Sequence, residues 1–160
     1  MTHADATIIL VRHALAGSRS RWVGPDIMRP LDGRGERQAR AVAATLQGLA
    51  PDRLLTSPYV RCIDTLEPFA TSSGLDIQVH DALNEGASAT DVETLLESLD
   101  GRVALSTHGD ICRLAISWAN RIGLPIPPDA ETEKGAIWIL DRGANLAELV
   151  PAPVVAPEQV

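Results

Sequence analysis

Hydrophobic and polar positions along this chain follow two periods. Short unbroken apolar runs alternate with longer stretches where apolar residues return every third or fourth position. The first run is Ile8-Ile9-Leu10-Val11, after Thr7. Successive β-branched and leucine positions of this kind predict a strand covered on both faces. Residues 14–29, rich in Gly, Ser, Arg and Pro, read as a loop. The segment Arg29-Pro30-Leu31-Asp32-Gly33-Arg34-Gly35 reads as a turn and a helix start. Ala39, Val42, Ala43, Leu46 and Leu49 then recur at helical spacing and predict an amphipathic helix ending near Gly48. Arg53–Thr56 reads as a second buried strand. Ser57 and Pro58 read as N-cap and first residue of a helix through Arg61, Cys62 and Leu66, which Pro68 would kink or interrupt.

Ile77-Gln78-Val79 reads as a short edge strand, followed by His80 in a surface loop. Thr90-Asp91-Val92-Glu93 has capping-box spacing and opens a helix through Leu99. Arg102–Thr107 is the next strand. A helix from Asp110 to Ile122 follows, with Ile111, Leu114, Ala115 and Trp118 inward and Gly123 as C-cap. Residues 124–135 form a Pro-rich acidic loop. Residues 136–140 and 146–150 read as a hairpin through Arg142-Gly143. Strands alternating with helices predict an α/β fold: a three-layer sandwich with a mainly parallel central sheet and helices on both faces. The reading is one domain over 1–150, with a Pro-rich tail over 151–160 expected to be disordered.

Composition narrows the picture. The 160 residues are 45% apolar, enough to bury a core without staples, but only 3% aromatic. The core is therefore aliphatic. A formal charge of −7 argues against nucleic acid as a partner. No apolar run approaches the ~20 residues that span a bilayer, and the polar Met1-Thr2-His3-Ala4-Asp5 lacks a signal-peptide pattern, so the expected location is the cytoplasm, away from membranes. Cys62 and Cys112 lie in helical patterns and read as small buried hydrophobes. Of the 14 cationic residues, only Lys134 is not arginine. Base composition explains most of that, yet single arginines remain candidate phosphate ligands. Arg34, Arg37 and Arg40 read as a solvated helix face, and Trp22 as a packing residue rather than a shield.

The chemistry gathers at strand ends. Right-handed crossovers bring the carboxyl ends of parallel strands to one edge, where ligands bind in open α/β sheets. Arg12-His13, Ser57 to Arg61 and His108-Gly109 all lie just past such ends. His13 is thus a candidate nucleophile toward phosphorus, with Arg12 beside it on the phosphoryl oxygens. There is no Walker A run and no Cys-x5-Arg pattern, and Gly33-x-Gly35 lacks a third glycine. His13, Glu85 and His108 could in principle ligate a metal, but adjacent arginines would repel one, so no metal and no cofactor is expected. What fits is phosphoryl transfer through histidine. Guanidinium groups and an imidazole offset the charge, and the nucleophile's second ring N–H is oriented by a backbone carbonyl. A carboxylic acid protonates the leaving oxygen.

Five short motifs run in order: Val11-Arg12-His13-Ala14, Pro30-Leu31-x-x-x-Gly35-x-x-Gln38-Ala39, Ser57-Pro58-x-x-Arg61, Leu83-x-Glu85 and Thr107-His108-Gly109. Together, over residues 7 to 140, they resemble the histidine phosphatase superfamily, the phosphoglycerate-mutase-like proteins. The compact length and Arg29-Pro30-Leu31 resemble its SixA-type phosphohistidine phosphatases. The run Thr132-Glu133-Lys134-Gly135-Ala136-Ile137-Trp138 is similar to the histidine phosphatase domain that follows a Nudix domain in some mycobacterial hydrolases. The resemblance implies that His13 is phosphorylated, that Arg12, Arg61 and His108 clamp the phosphoryl group, and that Glu85 donates the proton and later activates water.

Two positions depart from the family pattern. Ala14 stands where glycine is usual, and Arg19 where mutase-like members carry asparagine. Arg19 weakens a sugar-phosphate mutase reading and adds a cation near the pocket. The short span from Glu85 to His108 leaves little chain for a lid, so the site should be open and suited to phosphate on a larger body. The expected function is a metal-independent phosphatase acting on a phosphorylated protein, SixA-like. The alternatives are a small-molecule or nucleotide-derived phosphomonoesterase, or a non-catalytic phosphate-binding module. Inorganic phosphate or sulfate should fit the same pocket. Attack needs His13 neutral and the clamp gains from a charged His108, which predicts a bell-shaped pH profile.

Overall fold

The computed structural model describes residues 6–156. Six strands are joined into one sheet: β1 (Thr7–Arg12), β2 (Arg53–Thr56), β3 (Ile77–Val79), β4 (Arg102–Thr107), β5 (Ile137–Asp141) and β6 (Leu146–Val150). Their spatial order is β3-β2-β4-β1-β5-β6. The first four are mutually parallel, and β5 and β6 are added antiparallel. Four helices cover the sheet: α1 (Gly33–Leu49), α2 (Val60–Ser73), α3 (Ala89–Ser98) and α4 (Gly109–Arg121). Among the described residues no helix is long and apolar enough to cross a membrane.

The unbroken apolar runs have the cause inferred from the sequence. Along β1, Ile8 and Leu10 pack with Leu96, Ile111, Ala115 and Trp118 under α3 and α4. Ile9 and Val11 point the other way and pack with Val42, Leu46, Leu66 and Phe69 under α1 and α2. Side chains alternate across a strand, so a strand covered on both sides needs apolar residues at every position. Each such side chain, fully buried, contributes about 1.5–3 kcal/mol relative to exposure. Cys62 and Cys112 are free and wholly buried, and burial pushes both thiols up to about 12, so they stay as protonated small hydrophobes.

Helix entries differ from the sequence reading in two places. Ser57 is not an N-cap: α2 starts at Val60 after Tyr59, and the Ser57 hydroxyl turns to His108. Ser88, not Thr90, caps α3, its Oγ accepting from Asp91 N at 3.1 Å. Helix α2 also continues past Pro68 to Ser73. Gly123 does follow the end of α4 in the left-handed region, as a C-terminal glycine should.

Two tight contacts hold the loop after β1. A Cβ on Gly35 would lie 1.8 Å from the Leu15 carbonyl oxygen, so only glycine fits there. Gln38 is buried and accepts from Leu15 N at 3.0 Å, while its amide nitrogen donates to the carbonyls of Lys134 and Pro153. Residues 151–156, part of the tail expected to be disordered, thus run beside α1, and Arg37 donates to the Ala156 carbonyl. The remainder of that tail (157–160) and the polar N-terminal residues 1–5 lie outside the described residues. Trp22 does not pack inside: it is 37% exposed and donates from Nε1 to the Pro25 carbonyl.

Candidate active site

Strand β1 ends between β4 and β5, and its last bonds aim the next two side chains. Arg12 N donates to Ala136 O, and His13 N donates to Thr107 O, the last residue of β4. His13 is therefore fixed just past the sheet, 5% exposed. Its Nδ1 lies 2.8 Å from its neighbour's carbonyl, Ala14 O. A carbonyl only accepts, so Nδ1 carries the proton and Nε2 keeps a free lone pair. Burial, aided by the charges of Arg61, His108 and Arg12, pulls the His13 pKa down to about 3, although the Ala14 bond works the other way. The ring is neutral at physiological pH, as a nucleophile must be.

The second imidazole arrives from the end of β4. The His13 and His108 ring centroids lie 5.5 Å apart, edge to face. His108 Nε2 is 2.8 Å from Ser57 Oγ, whose oxygen also accepts from Tyr59 N. Burial and the nearby Arg61 charge lower the His108 pKa to about 4, with Glu85, Asp110 and Asp26 opposing. Desolvation outweighs the carboxylates.

Arg12 extends along the start of α4, where Gly109 makes room: a Cβ there would lie 2.8 Å from Arg12 Cζ. Its NH1 donates to Thr132 O at 2.7 Å, tying the acidic loop to the site. Arg61 is 1% exposed and lies over the Tyr59 ring at 4.7 Å. Its NH2 reaches Glu85 Oε2 at 3.5 Å. Glu85 Oε1 accepts from Arg19 NH2 at 3.0 Å. The methyl of Ala14 is fully buried among Ala16, Leu31 and Ala39, so the departure from glycine costs no space.

A pocket of about 370 Å³ opens at this edge, lined by Arg12, His13, Arg19, Glu85, His108 and Lys134 among others. The structure thus brings together Arg12, His13, Arg19, Glu85 and His108 on one wall set, with Arg61 behind it, joined through Glu85. Five buried side-chain atoms lack a hydrogen-bond partner among the described residues. Three of them are Arg12 Nε, Arg61 Nε and His108 Nδ1, the groups assigned to the phosphate clamp. Each such atom costs about 1–3 kcal/mol if left unpaired.

Sequence reasoning missed Asp26, in a short 3-10 turn of the 14–29 loop. Its carboxylate accepts from Arg61 NH2 at 3.1 Å and from Arg29 Nε at 3.0 Å, and lies 3.6 Å from Arg19 Nε. Its backbone carbonyl accepts from Arg61 NH1 at 3.0 Å. Burial opposes the charge, but the Arg29 bond and the Arg61 and Arg19 charges hold the carboxyl below its usual value. Nothing in the local pattern of an Asp after a proline signals this role. Arg19 and Arg29 share its loop, but the role depends on Arg61, brought from α2.

An α/β sheet with two imidazoles and several guanidinium groups around one small pocket is the equipment of a phosphate-handling enzyme. Residues 8–95 match the model of the histidine phosphatase superfamily (branch 1), and the chain belongs to that superfamily. It is 34% identical over 159 residues to an 8-oxo-(d)GTP phosphatase of Mycolicibacterium smegmatis (strain ATCC 700084 / mc(2)155). That match covers 94% of this chain and 48% of the relative, so the chain spans about half the length of that curated relative. Among solved structures it is similar to a protein described as the phosphohistidine phosphatase SixA from Agrobacterium tumefaciens, with TM-score 0.68 and 21% identity, covering 94% of this chain and 97% of that one. It is also similar to a mycobacterial glucosyl-3-phosphoglycerate phosphatase in complex with inorganic phosphate. There the TM-score is 0.61 and the identity 16%, over 83% of this chain and 88% of that one.

Proposed function

We propose that the chain hydrolyses phosphate through a phosphohistidine formed on His13, without a metal. The observation that carries this reading is the pocket that gathers Arg12, Arg19, Glu85 and His108 around a neutral His13 whose Nδ1–H is already engaged. Nε2 attacks phosphorus, and the P–O or P–N bond to the leaving group breaks. Arg12, Arg61 and His108 neutralise the equatorial oxygens, and Arg19 extends the cationic rim. Glu85 protonates an oxygen leaving group and then takes a proton from the water that hydrolyses the phosphohistidine. To accept the proton it must loosen from Arg19 and Arg61, which the arriving phosphate favours by competing for both.

The site is open. Between Glu85 and His108 the chain is used up by α3 and β4, leaving no insertion in that span to serve as a lid. This supports phosphohistidine on a protein as substrate, SixA-like. A second reading, nucleotide-derived phosphate, is favoured by the 34% identity to the 8-oxo-(d)GTP phosphatase.

Brief incubation with a labelled phosphodonor tests the reaction. The expected result is one acid-labile, base-stable label on His13, absent from His13→Ala, which should lose about 10³-fold or more in kcat. A label elsewhere, or none with turnover intact, would refute the intermediate. Glu85→Gln separates the leaving groups: activity on phosphohistidine should survive better than activity on an alkyl phosphate, since imidazole takes up a proton readily.

A further inference from the structure

A second, larger cavity of about 790 Å³ adjoins the phosphate pocket between α4 and the acidic loop 126–133. Arg12, Gly109 and Arg113 line both spaces, so the two share a wall. Arg113, one helical turn after Gly109, is exposed and has no hydrogen bond or ion pair among the described residues. Lys134, on the wall of the phosphate pocket, also has no side-chain partner among them. The phosphate pocket is lined by five cations, Arg12, Arg19, Arg29, Arg113 and Lys134, against two carboxylates, Glu85 and Asp110. Arg19 and Arg29 are engaged with Glu85 and Asp26. One phosphoryl group is already served by Arg12, Arg61 and His108. Arg113 and Lys134 are therefore surplus to it, and Arg113 stands where the pocket meets the larger cavity.

We infer that the substrate carries a second phosphate beside the transferred one and a nucleoside beyond it: a nucleoside diphosphate, with Arg113 and Lys134 on the inner phosphate and the nucleoside in the larger cavity. The inference rests on His13 as nucleophile and takes the second substrate reading above, nucleotide-derived phosphate, in place of phosphohistidine on a protein. Ile116, Ile126, Pro127 and Pro128 offer flat apolar surface for a base and sugar, and Asn120 and Glu131 offer acceptors for their N–H and O–H donors. Volumes of roughly 300–1,000 Å³ are usual for sites of this ligand size. His13 Nε2 bonds to the terminal phosphorus and the bridging P–O bond breaks, so the nucleoside monophosphate departs with the bridging oxygen. Water then cleaves the phosphohistidine, giving inorganic phosphate and returning neutral His13.

Steady-state kinetics on four substrates tests it: guanosine diphosphate, inorganic pyrophosphate, an aryl phosphate and a phosphohistidine peptide. The expected result is a kcat/KM for guanosine diphosphate about tenfold or more above each of the others. Arg113→Ala should cost guanosine diphosphate about tenfold more than it costs the aryl phosphate. Parity of guanosine diphosphate with pyrophosphate, a faster phosphohistidine peptide, or an equal loss on all substrates in Arg113→Ala would each overturn the inference while leaving the His13 chemistry standing. Inactivity on all four, with no label on His13, would instead overturn the catalytic reading and this inference with it.

Discussion

Two corners of the active site are built on different principles. The Arg12–His13 corner is held by backbone. His13 Nδ1 meets Ala14 O, Arg12 NH1 meets Thr132 O, and the main chain between them is clamped by Thr107 and Ala136. The opposite corner is held by charge. Arg61, Glu85, Asp26, Arg19 and Arg29 form one network drawn from three separate segments, and Arg19 is 63% exposed. The proposed nucleophile and Arg12 are thus positioned by groups that neither titrate nor respond to salt. Arg61 and the proposed proton donor Glu85 are positioned by groups that do both. Before substrate arrives, Asp26 and Glu85 occupy the arginine nitrogens that a phosphate would seek, so binding is an exchange of anions rather than the filling of a bare cationic site.

The sharpest way to break the contrast is Arg61→Ala. It removes a clamp donor and strands Asp26 and Glu85, and kcat/KM should fall by about 10²–10³ with labelling of His13 slowed. A drop of less than threefold would show that the charged corner is dispensable. At the backbone-held corner, Gly109→Ala pushes a methyl against Arg12 Cζ and should cost about 10–10² in kcat/KM by displacing the guanidinium from Thr132 O. This loss should be indifferent to ionic strength. Asp26→Asn keeps the shape but removes the charge that holds Arg61, Arg29 and Arg19. We expect about a tenfold loss, mostly in kcat, and a weaker salt dependence than wild type. A loss in KM alone would mean that Asp26 merely competes with substrate.

The smallest effect concerns pH. Both imidazoles are lowered in the fold, His13 to about 3 and His108 to about 4, from 6.5. Between those values and 6.5 the unfolded chain binds protons that the native chain refuses. Their contribution is therefore fully present above pH 6.5 and is lost as pH falls toward 3, at up to about 1.4 kcal/mol per pH unit for each group. Denaturant titrations at pH 7 and pH 5 should show the decrease, and replacing His13 by Ala should remove part of it. The acid limb of kcat/KM should correspondingly lie well below pH 6.5 rather than at it. The alkaline limb then depends on how far a bound phosphate dianion raises His108.

The backbone-held corner was legible in the sequence, and the charged corner was only half so. An apolar strand ending in Arg12-His13, and another ending before His108, put both imidazoles at one edge through general rules of parallel sheets. Those rules need only local pattern. The orienting carbonyl for His13 was foreseeable too, since it comes from the next residue. Asp26 was not, because its meaning lies in Arg19, Arg29 and Arg61, and no spacing along the chain announces such a meeting. Ser57 shows a second kind of miss. Ser-Pro before a helix looks like a cap, and the cap reading failed because His108 competes for the same hydroxyl. The lowered His108 pKa was hidden for a related reason. Burial is a property of the packed molecule, and it outweighed the carboxylates nearby.

The place of β1 in the sheet carries one more consequence. It lies between β4 and β5, with two further strands outside on one flank and one on the other. Amide hydrogens there exchange with solvent only when most of the molecule opens. The proposed nucleophile is thus anchored to the part of the chain that opens last.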